Sequence, residues 1–231
     1  MLILQKDRTT EWFVPKFGPR NFRIGIGILF LPYTGMVVSF ATWGSLADIF
    51  SLERLVAICL LYFLATGVSA HFLDAIGSRT KPWGILPKKK LWAISLISLG
   101  LACLIGLYYA LLDSPLLIPL GIIEGFFLFA YNLELFGGKL HNNVSFVISW
   151  GILPVLAGSA IQTNTISLYG GILAALAGLL SYILIKTSRR YKELKKESTD
   201  YSAIKKKETI LKIISLGVMI GTALFFILRY V

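Results

Sequence analysis

An all-α polytopic transmembrane helical bundle of about seven spans, with its N-terminus on the cytoplasmic side, is the architecture this chain encodes. Three observations lead there. Apolar residues make up 56% of the chain and charged residues 15%, with a mean hydropathy of +0.74, whereas soluble domains carry roughly a quarter charged residues. The apolar residues fall in runs long enough to cross a hydrocarbon core of about 30 Å. Lysine and arginine gather in alternate connecting segments, as an odd number of crossings requires. The 231 residues suffice for one bundle, so 1–231 reads as a single transmembrane domain with a basic cytoplasmic loop at 188–209.

The spans lie near residues 24–43, 55–73, 91–112, 116–136, 144–161, 168–185 and 210–228. Turn chemistry separates them: residues 77–87, Asp113-Ser114-Pro115, residues 137–143 and residues 162–165. Trp150-Gly151 and Pro154 interrupt the fifth span, which a neighbouring helix or a cavity can accommodate. Gly121xxxGly125 and Gly217xxxGly221 offer small faces for close helix contact, or reflect the high glycine content of membrane helices.

The formal net charge is +11. In a soluble chain that would suggest nucleic acid. Here the cations gather in the arm before the first span and in the second, fourth and sixth connections, with only Arg54 and Arg229 elsewhere, so membrane lipids are the expected partners. With the basic side inside, Val231 is external. Lys88, Lys89 and Lys90 serve orientation first. Tyr191, Leu194, Tyr201 and Ile204 recur as one apolar stripe within 189–207, which fits an amphipathic surface helix or a solvated linker. Cys59 and Cys103 sit in apolar runs without metal spacing and read as free thiols. Met1–Leu4 is too short for a signal-peptide core.

Ionisable groups at span ends point to function. His71 and Asp74 close the second span three residues apart, on one helical face. Glu134 ends the fourth, followed by Lys139, His141, Asn142 and Asn143; Arg189 and Arg190 follow the sixth. Even-numbered spans run inward, so these clusters share the cytoplasmic edge. Carboxylates, imidazoles, amides and arginines at the mouth of an apolar bundle suit an amphiphile with an anionic head, held by cations or by magnesium on carboxylates. Glu124 is separate, near mid-bilayer, and serves as a relay, a substrate contact or a packing residue.

The order of these features resembles the UbiA superfamily of intramembrane prenyltransferases over roughly residues 15–190. Ala70-His71-Phe72-Leu73-Asp74-Ala75-Ile76-Gly77-Ser78 stands where that family carries an N-D-xx-D-xxx-D type motif, and Arg79-Thr80-Lys81-Pro82-Trp83 follows before a new span. Tyr131-Asn132-Leu133-Glu134-Leu135-Phe136 stands at the family's Y-xxx-K-R stretch, with Asn142-Asn143 and Trp150-Gly151-Ile152-Leu153-Pro154 after it. The departures are specific. Ala70, His71 and Ser78 replace the motif's Asn and outer Asp residues, and Leu135 and Phe136 replace its basic pair. The region after the sixth span is basic where a second aspartate motif belongs, and seven spans replace nine.

The resemblance implies transfer of a prenyl chain from its diphosphate to a lipophilic acceptor. Asp74 and His71 would be catalytic, with Asp74 on any Mg2+. Arg79, Lys81, Tyr131, Glu134, Lys139, Asn142, Arg189 and Arg190 would bind substrate. Because the second motif is missing, a clamp of arginine and lysine would take over charge stabilisation from metal. A second reading is a non-catalytic relative that binds lipid or quinone or serves as a partner subunit. A third, a small transporter, rests on Glu124 alone.

Overall fold

A computed structural model describes residues 8–78, 81–197 and 200–230. The regular structure of the described residues is entirely helical, without strands. The elements are α1 (Arg20–Ile28), α2 (Leu31–Ser45), α3 (Leu52–Tyr62), α4 (His71–Gly77), α5 (Lys88–Leu112), α6 (Leu117–Asn132), α7 (Asn143–Val147), α8 (Leu153–Thr163), α9 (Leu168–Glu197) and α10 (Tyr201–Tyr230). Several merge into longer units. Six helical segments are long and apolar enough to cross a membrane: Arg20–Ser45, Leu52–Gly77, Lys88–Leu112, Asn143–Thr163, Leu168–Glu197 and Tyr201–Tyr230. The seventh, α6, has 16 residues, about 24 Å of helix. Its neighbours extend well beyond it.

The chain reverses direction at every connection, so the termini of the segments form two ends. One end gathers the starts of α1, α5, α7 and α10 and the ends of α4, α6 and α9. Lys16, Arg20, Arg23, Lys81, Lys88, Lys139 and the basic tail of α9 lie there. The other end gathers the connections after α2, α5 and α8 and the end of α10.

Three expectations are corrected. The fourth span ends at Asn132 rather than 136, because Leu133 leaves the helical region and Glu134 takes a left-handed φ of 51°. The segment expected as a loop over 188–209 is helical to Glu197 and again from Tyr201. Of its apolar stripe, Tyr191 and Leu194 are buried and Ile204 is half-buried, while Tyr201 is exposed. The glycine pairs Gly121/Gly125 and Gly217/Gly221 make no close helix contact: a methyl group at any of the four would meet open space.

The tight seam lies elsewhere, between α2 and α8. A Cβ at Gly44 would strike the Val155 carbonyl, and one at Gly158 would strike the Ala41 carbonyl. Ser45 Oγ donates to Gly158 O and Ser159 Oγ to Gly44 O, each at 3.1 Å. Lipid tails are as apolar as leucine side chains, so close backbone contact and hydrogen bonds hold such helices together. Phe40, Met36, Ile161 and Val155 fill the seam and are fully enclosed.

Two helices carry a wide π-type turn, Phe63–Ala70 before α4 and Ile148–Ile152 before α8. Such turns mark functional positions in many helices. The second absorbs Pro154, which lacks an N–H for the ordinary ladder. Together they set the facing positions of His71 and Trp150.

Candidate functional site

At the basic end, α4, α6, α7 and α9 enclose a cavity of about 510 Å³. Its floor is aromatic. The His71 ring stacks on Phe30 at 4.9 Å and lies 5.2 Å from Trp150, which stacks on Phe146 at 5.2 Å. Phe30 occupies the break between α1 and α2 in a left-handed conformation, with φ of 45°. A bulky residue there is strained, and surrounding structure must impose it. The first span, expected as unbroken, is thus bent where its ring meets His71.

His71 is 8% exposed, and its Nε2 is buried without a hydrogen-bond partner. Buried polar atoms are rarely left unpaired in native proteins. An orphaned ring nitrogen lining a cavity marks where an external group completes the bonding. One turn further, Asp74 faces the same space. Gly77 brings α4 against the end of α6, where a Cβ would meet the Asn132 carbonyl. This approach draws Asp74 and Ser78 together with Asn132 and Glu134.

The walls carry charge. Along α9 the lining runs Leu184, Ile185, Ser188, Arg189, Lys192 and Lys196, one helical face that grades from apolar to cationic toward the mouth. Arg189 Nη2 donates to the His141 carbonyl at 3.0 Å, and the His141 ring stacks on Tyr131 at 4.2 Å. Arg8 enters from the N-terminal arm, with its guanidinium 5.5 Å from the Phe30 ring centroid. The arm is held across the bundle by Glu11, which accepts from Tyr191 at 2.9 Å and Lys195 at 2.7 Å. Four cationic side chains, Arg8, Arg189, Lys192 and Lys196, therefore face three carboxylates, Asp74, Glu134 and Glu193.

Of the residues expected from sequence, the cavity brings together His71, Asp74, Tyr131, Glu134 and Arg189. Four others are placed elsewhere. Lys81 Nζ bonds the Ile76 carbonyl at 2.8 Å. Lys139 is exposed beyond the lining. Asn142 caps α7, accepting from Ser145 N at 2.9 Å. Arg190 points outward and pairs with Glu193 at 3.2 Å. Arg79 lies outside the described residues. Sequence reasoning missed Arg8, Lys192 and Lys196 as contributors, having counted them only for orientation. The last two follow Arg189 at helical spacings of three and seven, a signal that was present. Trp150 stood in the interrupted fifth span, and Phe30 and Tyr33 had no signal.

Magnesium binding calls for several oxygen ligands. Among the described residues, no three His, Cys, Asp or Glu side chains gather into a metal-binding group. Asp74 and His71 supply one carboxylate and one imidazole, with the imidazole enclosed by rings.

A second, apolar cavity of about 410 Å³ lies at mid-height between α3, α5 and α6, with Glu124 in its wall. No family model, no curated protein and no solved structure matches this chain.

Proposed function

We propose that the chain is an intramembrane transferase, UbiA-like in character, that takes a prenyl diphosphate at the basic end and passes the prenyl chain to a lipophilic acceptor. One observation carries this reading: a single cavity joins four cations to an aromatic floor beside an unpartnered imidazole. The chemistry needs both. Cleavage of the allylic C–O bond sends negative charge onto the diphosphate and leaves an allylic cation. Arg8, Arg189, Lys192 and Lys196 stabilise the first, as preorganised cations do best where charge develops. The faces of Phe30, Trp150 and Phe146 stabilise the second. The acceptor then forms its bond to the prenyl carbon and loses a proton. Asp74 and Glu134 stand in the same cavity to receive it.

His71 Nε2 meets the diphosphate or the acceptor head and so acquires its missing partner. Mg2+ arriving with the diphosphate would be held by Asp74 and phosphate oxygens and would neutralise leaving-group charge. The basic end faces the cytoplasm, following the distribution of lysine and arginine.

The decisive test is binding of a labelled long-chain prenyl diphosphate to detergent-purified protein, with and without Mg2+, for wild type and Asp74→Ala. Saturable binding that Asp74→Ala weakens, followed by turnover with an acceptor panel, supports the reading. Absence of binding by folded protein overturns it. The alternative, a non-catalytic protein that binds lipid or quinone or serves as a partner subunit, is favoured by the single carboxylate at the α4 motif. Diphosphate binding without turnover across the panel would select it.

A further inference from the structure

The apolar cavity between α3, α5 and α6 is a second place where the bundle can hold a ligand. Its wall is almost wholly carbon, and glycine creates its room. Gly121 and Gly125 on α6 have open space where a Cβ would stand, and Gly106 faces them from α5. Glu124 interrupts this surface. Tyr62 on α3 donates its hydroxyl proton to Glu124 Oε1 at 2.9 Å. The other carboxyl oxygen has no hydrogen bond among the described residues.

A carboxyl half-satisfied in hydrocarbon is costly, and lipid tails bring no partner for it. Where such a group persists, a polar group inside the cavity completes its bonding. A hydroxyl does so whether the carboxyl is neutral or charged, because it both donates and accepts. An ammonium group would suit only the anion and would have to shed its water in an apolar cleft. The cavity also falls within the size range of small-molecule sites, roughly 300–1,000 Å³.

The geometry points to a mid-membrane site for a lipophilic molecule bearing one hydroxyl, an alcohol or a phenol, whose OH meets Glu124 while its apolar body lies along Gly121 and Gly125. This site is separate from the diphosphate cavity. A constriction of about 10 Å³, bordered by Thr66, Glu124, Tyr131 and Trp150, lies between the two. That is room for about one water.

The experiment uses the purified full chain in nanodiscs and two photoreactive probes, a long-chain alkylphenol and a long-chain alcohol. Each is paired with its analogue carrying hydrogen in place of the hydroxyl. Crosslinks are mapped by mass spectrometry. The expected result is labelling of α5 and α6 by a hydroxyl probe, about tenfold weaker for its deoxy analogue, as loss of one hydrogen bond predicts. The more strongly labelling probe identifies the source as phenol or alcohol. Gly125→Leu fills the cleft and abolishes labelling, and Glu124→Gln, which still donates and accepts, retains it.

Equal labelling by hydroxyl and deoxy probes would overturn the inference and leave a cleft filled by acyl chains. So would labelling indifferent to Gly125→Leu. If Gly125→Leu does not fold, the two probe pairs on wild type decide alone. Prenyl diphosphate binding measured in parallel separates the sites: its failure in wild type removes the reading of the basic end and leaves this one standing.

Discussion

The two ends of the bundle are built on opposite principles. At the end away from the lysines, the main polar side chains close on one another. Arg54 pairs with Asp113 at 2.6 Å, donates to the Ile161 carbonyl at 2.8 Å and lies over the Tyr109 ring. Tyr109 donates to Glu53 at 2.8 Å, and Gln162 accepts from Ser51 N at 2.8 Å. Asn164 accepts from Leu116 N at 2.9 Å, joining the α8–α9 turn to the start of α6. The basic end instead leaves space, an orphaned imidazole and four cations around it. Polar groups tied to each other stabilise a fold, whereas polar groups held apart around a cavity await a ligand.

The largest effect that would sharpen this contrast comes from removing two cavity cations. Arg189→Ala with Lys192→Ala should weaken prenyl diphosphate binding by about 100-fold or more, since charge-assisted bonds contribute about 1.5–3 kcal/mol each. Equilibrium binding checks it, and thermal unfolding should fall only by what the lost Arg189 bond to the His141 carbonyl contributes, about 1 kcal/mol. The mirror experiment is Arg54→Ala. It removes one bond to Asp113 and one to the buried Ile161 carbonyl, both of which Ser114 Oγ still reaches, and loss of the carbonyl bond should destabilise the protein by about 1 kcal/mol. Denaturation in detergent reads this, while diphosphate binding stays near wild type. Similar effects of both changes on binding would break the comparison.

His71→Phe is subtler. Removing the unpartnered Nε2 from its aromatic stack should stabilise the protein by about 1–3 kcal/mol and weaken binding about tenfold. A loss of stability would show that the imidazole is a packing residue. The smallest effect is on pH. The Arg54 hydrogen bond, with help from Ser114, holds the Asp113 carboxyl below its usual range. A carboxylate with a lowered folded value stabilises the fold above its unfolded value and loses that contribution as pH falls through the folded one. The melting temperature should therefore drop modestly in acid, below the ordinary aspartate range, and Asp113→Asn should flatten the slope.

Part of the site was readable beforehand because a helix converts spacing into direction. His71 and Asp74 are three apart and share a face, and antiparallel helices return alternate ends to one edge. Lys81, Lys139, Asn142 and Arg190 were drawn in by proximity along the chain, but each is turned away by its local backbone or a nearer partner. Arg8 was invisible as a contributor because its place depends on Glu11 reaching Tyr191 and Lys195, 180 and 184 residues away.

The sequence by itself determined the class of the protein. Apolar run length and the alternation of basic segments are local quantities, and hydrocarbon leaves few alternatives to helices. It also determined that Glu124 sits amid apolar residues of one span. Only the tertiary structure decided which glycines make contact and which leave room. Gly44 and Gly158 meet backbone from a distant helix, while Gly121 and Gly125, with the better motif, border open space. Spacing assigns a residue to a face of its own helix. What that face meets is set by the packing of all the others.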